Sequence, residues 1–120
     1  MDVQGRVALL AGLELFARTD RAVLEDLAGA IEVVEAPAST VVVARGDAAD
    51  ALWVLATGEV NVSAGDADLR TLQAPAYFGE VGALTGNERI ATVTTTEPST
   101  LWRISSLKFL DLLGRPTASE

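Results

Sequence analysis

Short β-rich segments separated by turn residues fill the middle of this chain, and this pattern limits the possible fold more than any other feature. The clearest predicted strands are 40–43, 51–55, 60–63, 69–72, 90–96 and 100–104, within a total of about seven or eight. Glycine, aspartate and proline lie between them, as tight turns require. Short strands joined by regular turns predict a sandwich, a barrel or a roll.

Helices are predicted at both ends of the chain. Val3–Leu10 is an apolar-rich stretch, and apolar residues recur at helical spacing again between about residues 20 and 31. Leu107, Leu110 and Leu113 are predicted to supply the apolar face of a C-terminal helix. Trp53 and Trp102 are expected to pack in or beside the core.

The composition excludes several classes of function. The 120 residues suit a single domain with a core of about 13–113, and 49% of them are apolar. The chain has no cysteine and no histidine, which removes disulfides, Ser-His and Cys-His catalysis and the commonest metal ligands. We therefore expect a protein that is not an enzyme and has no catalytic or metal-binding residue.

The expected location is the cytoplasm. The N-terminus lacks the features of a secretory signal, and no apolar run approaches the ~20 residues of a membrane helix. A net charge of −8 opposes direct binding to nucleic acid or to anionic lipid. An anionic ligand would therefore have to be held by local, short-range contacts.

The segment from Tyr77 to Val93 interrupts the β pattern and contains the candidate binding residues. Gly79 lets a ligand approach the main chain, and residues 81–85 could form one helical turn whose free N–H groups bind an anion. Arg89 offers a planar fork of donors for two phosphate oxygens. Glu80 offers two acceptors that suit a pair of sugar hydroxyls. Together these residues could hold a ribose beside a phosphate.

Two sequence patterns carry a resemblance to a known family. Phe78-Gly79-Glu80, followed by Arg89-Ile90-Ala91-Thr92-Val93 with nine residues from Glu80 to Arg89, resembles the phosphate-binding cassette of cyclic-nucleotide-binding domains. Such domains occur in the regulatory subunit of cAMP-dependent kinase, the catabolite activator proteins and cyclic-nucleotide-gated channels. Residues 46–60 are similar to the family's glycine framework, and the likeness spans roughly 13–113. The resemblance implies a mainly β fold, a double-stranded β-helix or jelly-roll-like β-roll flanked by N- and C-terminal helices.

The resemblance also implies a ligand site. Its residues would be Gly79, Glu80, Val81, Gly82, Ala83, Arg89, Ile90, Ala91 and Thr92. Glu80 would accept a hydrogen bond from the ribose 2′-hydroxyl, and Arg89 would pair with the exocyclic phosphate oxygens. Backbone amides within 79–83 would complete the phosphate cradle, and residues 91–92 would line the far side of the pocket.

Four positions depart from the family pattern. Gly82 and Ala83 replace alanine and leucine, Glu88 replaces a proline beside the arginine, and Ile90 replaces a small residue. Family members that favour cGMP often have a hydroxyl at the Ile90 position, so the resemblance favours cAMP over cGMP as the ligand. Glu88 and Ile90 also leave open a weak or vacant pocket, with Arg89 as an ion-pair partner of a neighbouring glutamate.

Three hypotheses for function remain. In the first, cyclic nucleotide repositions the terminal helices and biases a covalently attached or separate output domain between two states. The family's further lid helix would follow residue 113, so the chain is expected to be a domain cut from a larger protein or a short stand-alone one. In the second, a degenerate domain with an empty pocket makes protein–protein contacts. In the third, the domain is the sensor half of a transcription factor, although no helix-turn-helix is found in these residues.

Overall fold

The computed structural model describes residues 2–48, 50–79, 89 and 91–113. The helices are α1 (Val3–Ala11), α2 (Arg21–Gly29) and α3 (Ser106–Leu113), with a 3-10 turn at Glu14–Phe16. The strands are β1 (Glu32–Ala36), β2 (Val41–Val43), β3 (Ala51–Thr57), β4 (Glu59–Ala64), β5 (Ala67–Gln73), β6 (Ala76–Phe78), β7 (Thr92–Thr95) and β8 (Ser99–Ser105). They form two four-stranded antiparallel sheets, in the orders β1-β8-β3-β6 and β2-β7-β4-β5. This is the predicted β-roll with flanking helices.

Strand β3 contributes to two separate cores. Its residues Ala51–Leu55 are all buried, and side chains alternate between the two faces of a strand. Leu52 and Val54 face the helices and pack in a helix-side core, whose large members include Leu10, Phe16, Leu27, Trp102 and Phe109. Ala51, Trp53 and Leu55 pack between the sheets in an inner core that also contains Val60, Val62, Phe78, Val93 and Leu101. A continuous apolar run is what a strand covered on both faces requires.

Two strands lie where the sequence pattern did not indicate them. Glu32–Ala36 is an edge strand in which only Ala36 is buried. Its sequence, Glu-Val-Val-Glu-Ala, does not alternate between apolar and polar residues, so it lacks the pattern of a half-buried strand. Ala76–Phe78 has three residues, enclosed between Pro75 and Gly79. Both strands are set by pairing to a buried neighbour, since β1 pairs with β8 and β6 pairs with β3. A run this short or this polar carries too little periodicity to be recognised.

A buried threonine fixes the turn that leads into β2. The Oγ1 of Thr95, a residue only 1% exposed, donates to the carbonyl oxygen of Pro37 at 2.6 Å and accepts from the amide of Thr40 at 2.8 Å. The backbone amide of Thr95 also donates to the carbonyl oxygen of Thr40 at 2.8 Å. One side chain therefore satisfies two main-chain groups of the turn.

Replacing Thr95 with valine is expected to lower the free energy of unfolding by about 2 kcal/mol, because the isosteric side chain leaves the amide of Thr40 unsatisfied and removes one of the two hydroxyl donors to the carbonyl oxygen of Pro37. Urea denaturation would measure the change. The matched control is Thr94→Val on the outer face of the same strand, for which we expect a change within about 0.5 kcal/mol. Equal effects of the two substitutions would show that the Thr95 hydroxyl does not hold the turn.

Candidate functional site

Arg89 is the central residue of the candidate site and is only 6% exposed. Its backbone is attached to the loop that follows β2: its amide donates to the carbonyl oxygen of Asp47 at 2.8 Å, and its carbonyl oxygen accepts from the amide of Gly46 at 2.9 Å. A buried charged side chain must have hydrogen-bond acceptors around it. The two backbone bonds hold Arg89 where such acceptors are available.

The guanidinium of Arg89 joins two strands of the first sheet. Its Nη1 donates to the carbonyl oxygen of Gly79 at 3.1 Å, directly after β6. Its Nη2 donates to the carbonyl oxygen of Ala51, the first residue of β3. The planar fork is thus oriented by main-chain oxygens from two neighbouring strands.

Gly79 is the position where the main chain and Arg89 come closest. Its φ of +83° lies in the region that favours glycine. A Cβ built on Gly79 would overlap Nη1 of Arg89 and lie 3.2 Å from its Cζ. The backbone conformation expected of Gly79 is therefore confirmed, and the close approach of the guanidinium separately leaves no room for a side chain.

A family model described as "Cyclic nucleotide-binding domain" matches residues 33–115. The chain belongs to this family. The match covers both sheets from β1 onward, together with Gly79 and Arg89.

Two curated relatives of this cyclic nucleotide-binding domain are kinase proteins. A cGMP-dependent protein kinase of Toxoplasma gondii is 33% identical over 88 residues, which are 73% of this chain and 9% of that protein. A cAMP-dependent protein kinase regulatory subunit of Colletotrichum orbiculare is 30% identical over 125 residues, which cover 92% of this chain and 32% of that protein. The chain therefore spans only a minor part of these relatives.

Solved structures share the fold at lower sequence identity. The cAMP-bound structure of PfPKA-R superposes with a TM-score of 0.86 at 19% identity, over 93% of this chain and 40% of that one. The sensor domain of the transcriptional regulator DNR from Pseudomonas aeruginosa has a TM-score of 0.84 at 22% identity, over 92% and 78% of the two chains. These likenesses establish the β-roll fold of the domain.

The predicted cassette of this cyclic nucleotide-binding domain is described in part. Glu80, Val81, Gly82, Ala83 and Ile90 lie outside the described residues, as do the predicted helical turn at 81–85 and Glu88. Among the predicted site residues that are described, Gly79 and Arg89 are in direct contact.

The last two predicted site residues lead into β7. Ala91 is half-buried and packs against the inner core. Thr92 begins β7, and its hydroxyl accepts from the backbone amide of Arg45 at 3.0 Å. Thr92 is therefore attached to the same loop that holds the backbone of Arg89.

Sequence reasoning missed the main-chain hydrogen-bond partners of Arg89. Ala51 and Asp47 each provide a carbonyl oxygen, and Gly46, with a φ of +93°, provides an amide. Gly46 and Asp47 were recognised only as part of a loop, and Ala51 only as part of a strand. Because these residues act through peptide groups, their side chains give no signal of the role.

An ion-pair cluster lies close to the start of β3. Arg103 contacts Asp50 at 3.2 Å and Glu32 at 3.7 Å, and in the sheet it pairs with Trp53 of β3. At the other end of β3, hydrogen bonds from Gln73 and then Thr96 lower the pKa of the exposed Glu59 carboxyl. Among the described residues, the acidic side chains near the start of β3 thus pair with Arg103.

Across 2–48, 50–79, 89 and 91–113, no cluster of three or more acidic side chains is placed to hold a metal ion. Over the same residues, no helix has the length and apolar character needed to cross a membrane.

Proposed function

We propose that this domain binds cAMP by pairing the cyclic phosphate with Arg89, and that it relays binding to an output domain. The observation that supports the proposal is the buried, oriented guanidinium of Arg89 at the end of β6. A guanidinium carries five N–H donors in a planar fork that fits phosphate oxygens. Charge-assisted bonds in a site of low dielectric are strong, so an acidic chain can hold an anion there.

The assignment of the remaining contacts follows the family pattern. Glu80 would accept from the ribose 2′-hydroxyl, and backbone amides within 79–83 would surround the phosphate. Ile90 has no hydroxyl to offer a guanine, which favours cAMP over cGMP. One curated relative is named as a cAMP-dependent regulatory subunit and another as a cGMP-dependent kinase, so the base preference rests on Ile90.

A short main-chain route supports the proposed relay. The carbonyl oxygen of Ala51 accepts from Arg89, and the carbonyl oxygen of the preceding Asp50 accepts from the amide of Ser106 at 2.9 Å. Ser106 is the first residue of α3. A phosphate that draws the guanidinium toward itself would act on the start of β3, and through the adjacent peptide on α3.

A second function is favoured by the same bonds of Arg89. The carbonyl oxygens of Gly79 and Ala51 already engage both terminal nitrogens, which is the arrangement of a structural arginine in a self-occupied pocket. A domain of this kind would serve in protein–protein contact and would bind no nucleotide.

Calorimetric titration with cAMP, cGMP and linear 5′-AMP separates the two functions. We expect saturable binding of cAMP, with an affinity at least about tenfold higher than that of cGMP, which corresponds to about 1.4 kcal/mol. Linear 5′-AMP controls for the cyclic phosphate and is expected to bind more weakly than cAMP. An absence of heat and of any thermal shift at millimolar cAMP would contradict the sensor function and support the protein-contact function.

A further inference from the structure

Trp53 combines burial with an unused hydrogen-bond donor. The residue is 8% exposed, and its indole Nε1 is buried without an acceptor among the residues that the structure describes. The indole N–H is a donor that usually has a partner when it is buried, because an unsatisfied polar group in a core costs free energy. A buried donor of this kind is suited to an acceptor that arrives with a ligand.

The position of Trp53 connects this donor to the candidate site. Trp53 lies two residues after Ala51 on β3 and pairs across the sheet with Phe78, the residue before Gly79. The rings of Trp53 and Phe78 are stacked, with centroids 6.3 Å apart and planes 4° apart. Both carbonyl groups that hold the guanidinium of Arg89 are therefore within two residues of this ring pair.

We propose that Trp53 is a further ligand-binding residue, whose indole N–H donates to an oxygen of the ribose phosphate bound beside Arg89. The inference rests on the proposed function, since it requires the nucleotide to occupy this site. A cyclic ribose phosphate is rich in oxygen acceptors and has an anionic diester, whereas the indole is a donor only. The ligand thus offers the hydrogen-bond acceptor that the indole N–H of Trp53 does not find in the described part of the chain.

The two tryptophans of the chain allow a direct test. Trp102 is 2% exposed and belongs to the helix-side core, so Trp102→Phe is the matched control for Trp53→Phe. Each substitution keeps an aromatic ring and removes one indole N–H. The two variants also assign the two indole resonances in a ¹H–¹⁵N spectrum of the wild-type domain.

On addition of cAMP, we expect the Trp53 indole proton of the wild-type domain to move downfield, as a new hydrogen bond requires, while the Trp102 proton stays in place. Loss of a hydrogen bond to an anionic ligand should lower the cAMP affinity of Trp53→Phe by about tenfold, and Trp102→Phe should bind as the wild type does.

The titration of the wild-type domain separates failure of this inference from failure of the proposed function. If cAMP binds the wild type, but the Trp53 resonance does not move and Trp53→Phe retains full affinity, the role of Trp53 is overturned while the site stands. If cAMP does not bind the wild type, the proposed function fails and the inference fails with it. Should Trp53→Phe not fold, the wild-type indole spectrum still decides.

Discussion

Replacing Arg89 with alanine is expected to reduce cAMP affinity by at least about 100-fold. Hydrogen bonds between ionised groups contribute about 1.5–3 kcal/mol each, and a bidentate pair of them exceeds the 2.8 kcal/mol that corresponds to 100-fold. Calorimetric titration of the variant with cAMP measures the loss. Retained affinity in the alanine variant would show that Arg89 does not contact the phosphate.

The same substitution is expected to destabilise the free domain. Without Arg89, the buried carbonyl oxygen of Ala51 loses a donor at a cost of about 1–3 kcal/mol, and the part-buried carbonyl oxygen of Gly79 loses a donor that water can replace. Thermal denaturation without nucleotide measures the loss of stability. A loss of cAMP binding that results from unfolding can therefore be distinguished from a loss of contact with the phosphate.

Two control variants separate charge from geometry at Arg89. Arg89→Lys keeps the positive charge but loses the fork, so cAMP binding should be weakened less than by alanine and should not be restored. Arg18→Ala removes an exposed arginine with the same change in net charge, and we expect its cAMP affinity to equal that of the wild type. Weakening by Arg18→Ala as large as that by Arg89→Ala would point to net charge as the cause.

Replacing Gly58 with alanine is expected to lower the free energy of unfolding by about 2–5 kcal/mol. Gly58 forms the turn between β3 and β4 with a φ of +101°, where any other residue is strained by about 1–2 kcal/mol. A Cβ at this position would lie 2.6 Å from the Cβ and 2.8 Å from the Cα of Ser99, so backbone would have to move. Steric overlap in a packed region adds about 1–3 kcal/mol to the strain.

Ser99 has little freedom to move away from such a side chain. It is buried, its Oγ donates to the carbonyl oxygen of Glu97 at 2.8 Å, and the same Oγ accepts from the amide of Glu59 at 3.3 Å. A displacement of Ser99 would break these bonds at the first residue of β8.

Gly65→Ala is the matched control for Gly58→Ala. Gly65 lies at the other end of β4, between β4 and β5, with a φ of +62°. The nearest atom to its added Cβ is 3.8 Å away, so we expect only the backbone strain of about 1–2 kcal/mol. Chemical denaturation compares the two variants. Equal losses would attribute the whole effect to φ and none to contact with Ser99.

The sequence predicted those parts of the fold in which side-chain chemistry itself defines the element. Strands 51–55, 60–63 and 100–104 were recognised from their apolar residues, and α3 was recognised as a helix from the spacing of its leucines. The predicted face of α3 was wrong: Leu107 and Leu110 are exposed, and Phe109 and Leu112 are the residues that pack in the helix-side core. Strand β1 was not predicted because it is an edge strand with two glutamates, and its apolar and polar residues do not alternate. Its register comes from β8, a partner about 70 residues away in the chain.

The candidate site was predictable to a similar extent. Gly79 and Arg89 were recognised from residue type and spacing, and the structure brings them into contact. The hydrogen bonds that the sequence did not predict run from the guanidinium of Arg89 to the peptide oxygen of Ala51 and from its backbone amide to that of Asp47, and any residue type could supply these oxygens. Such contacts depend on which strands lie next to each other in the fold, and the local pattern of side chains does not predict that arrangement.

The double burial of β3 has a consequence for mutational tolerance. Between Ala51 and Leu55, a change in side-chain volume on one face must be accommodated without displacing a strand whose other face is equally packed. We therefore expect few single substitutions in this strand to be neutral, and we expect compensating changes to arise in pairs within one core. Strand β5, whose side chains are mostly exposed, is free of this constraint, so sequence drift in this domain should concentrate there and spare β3.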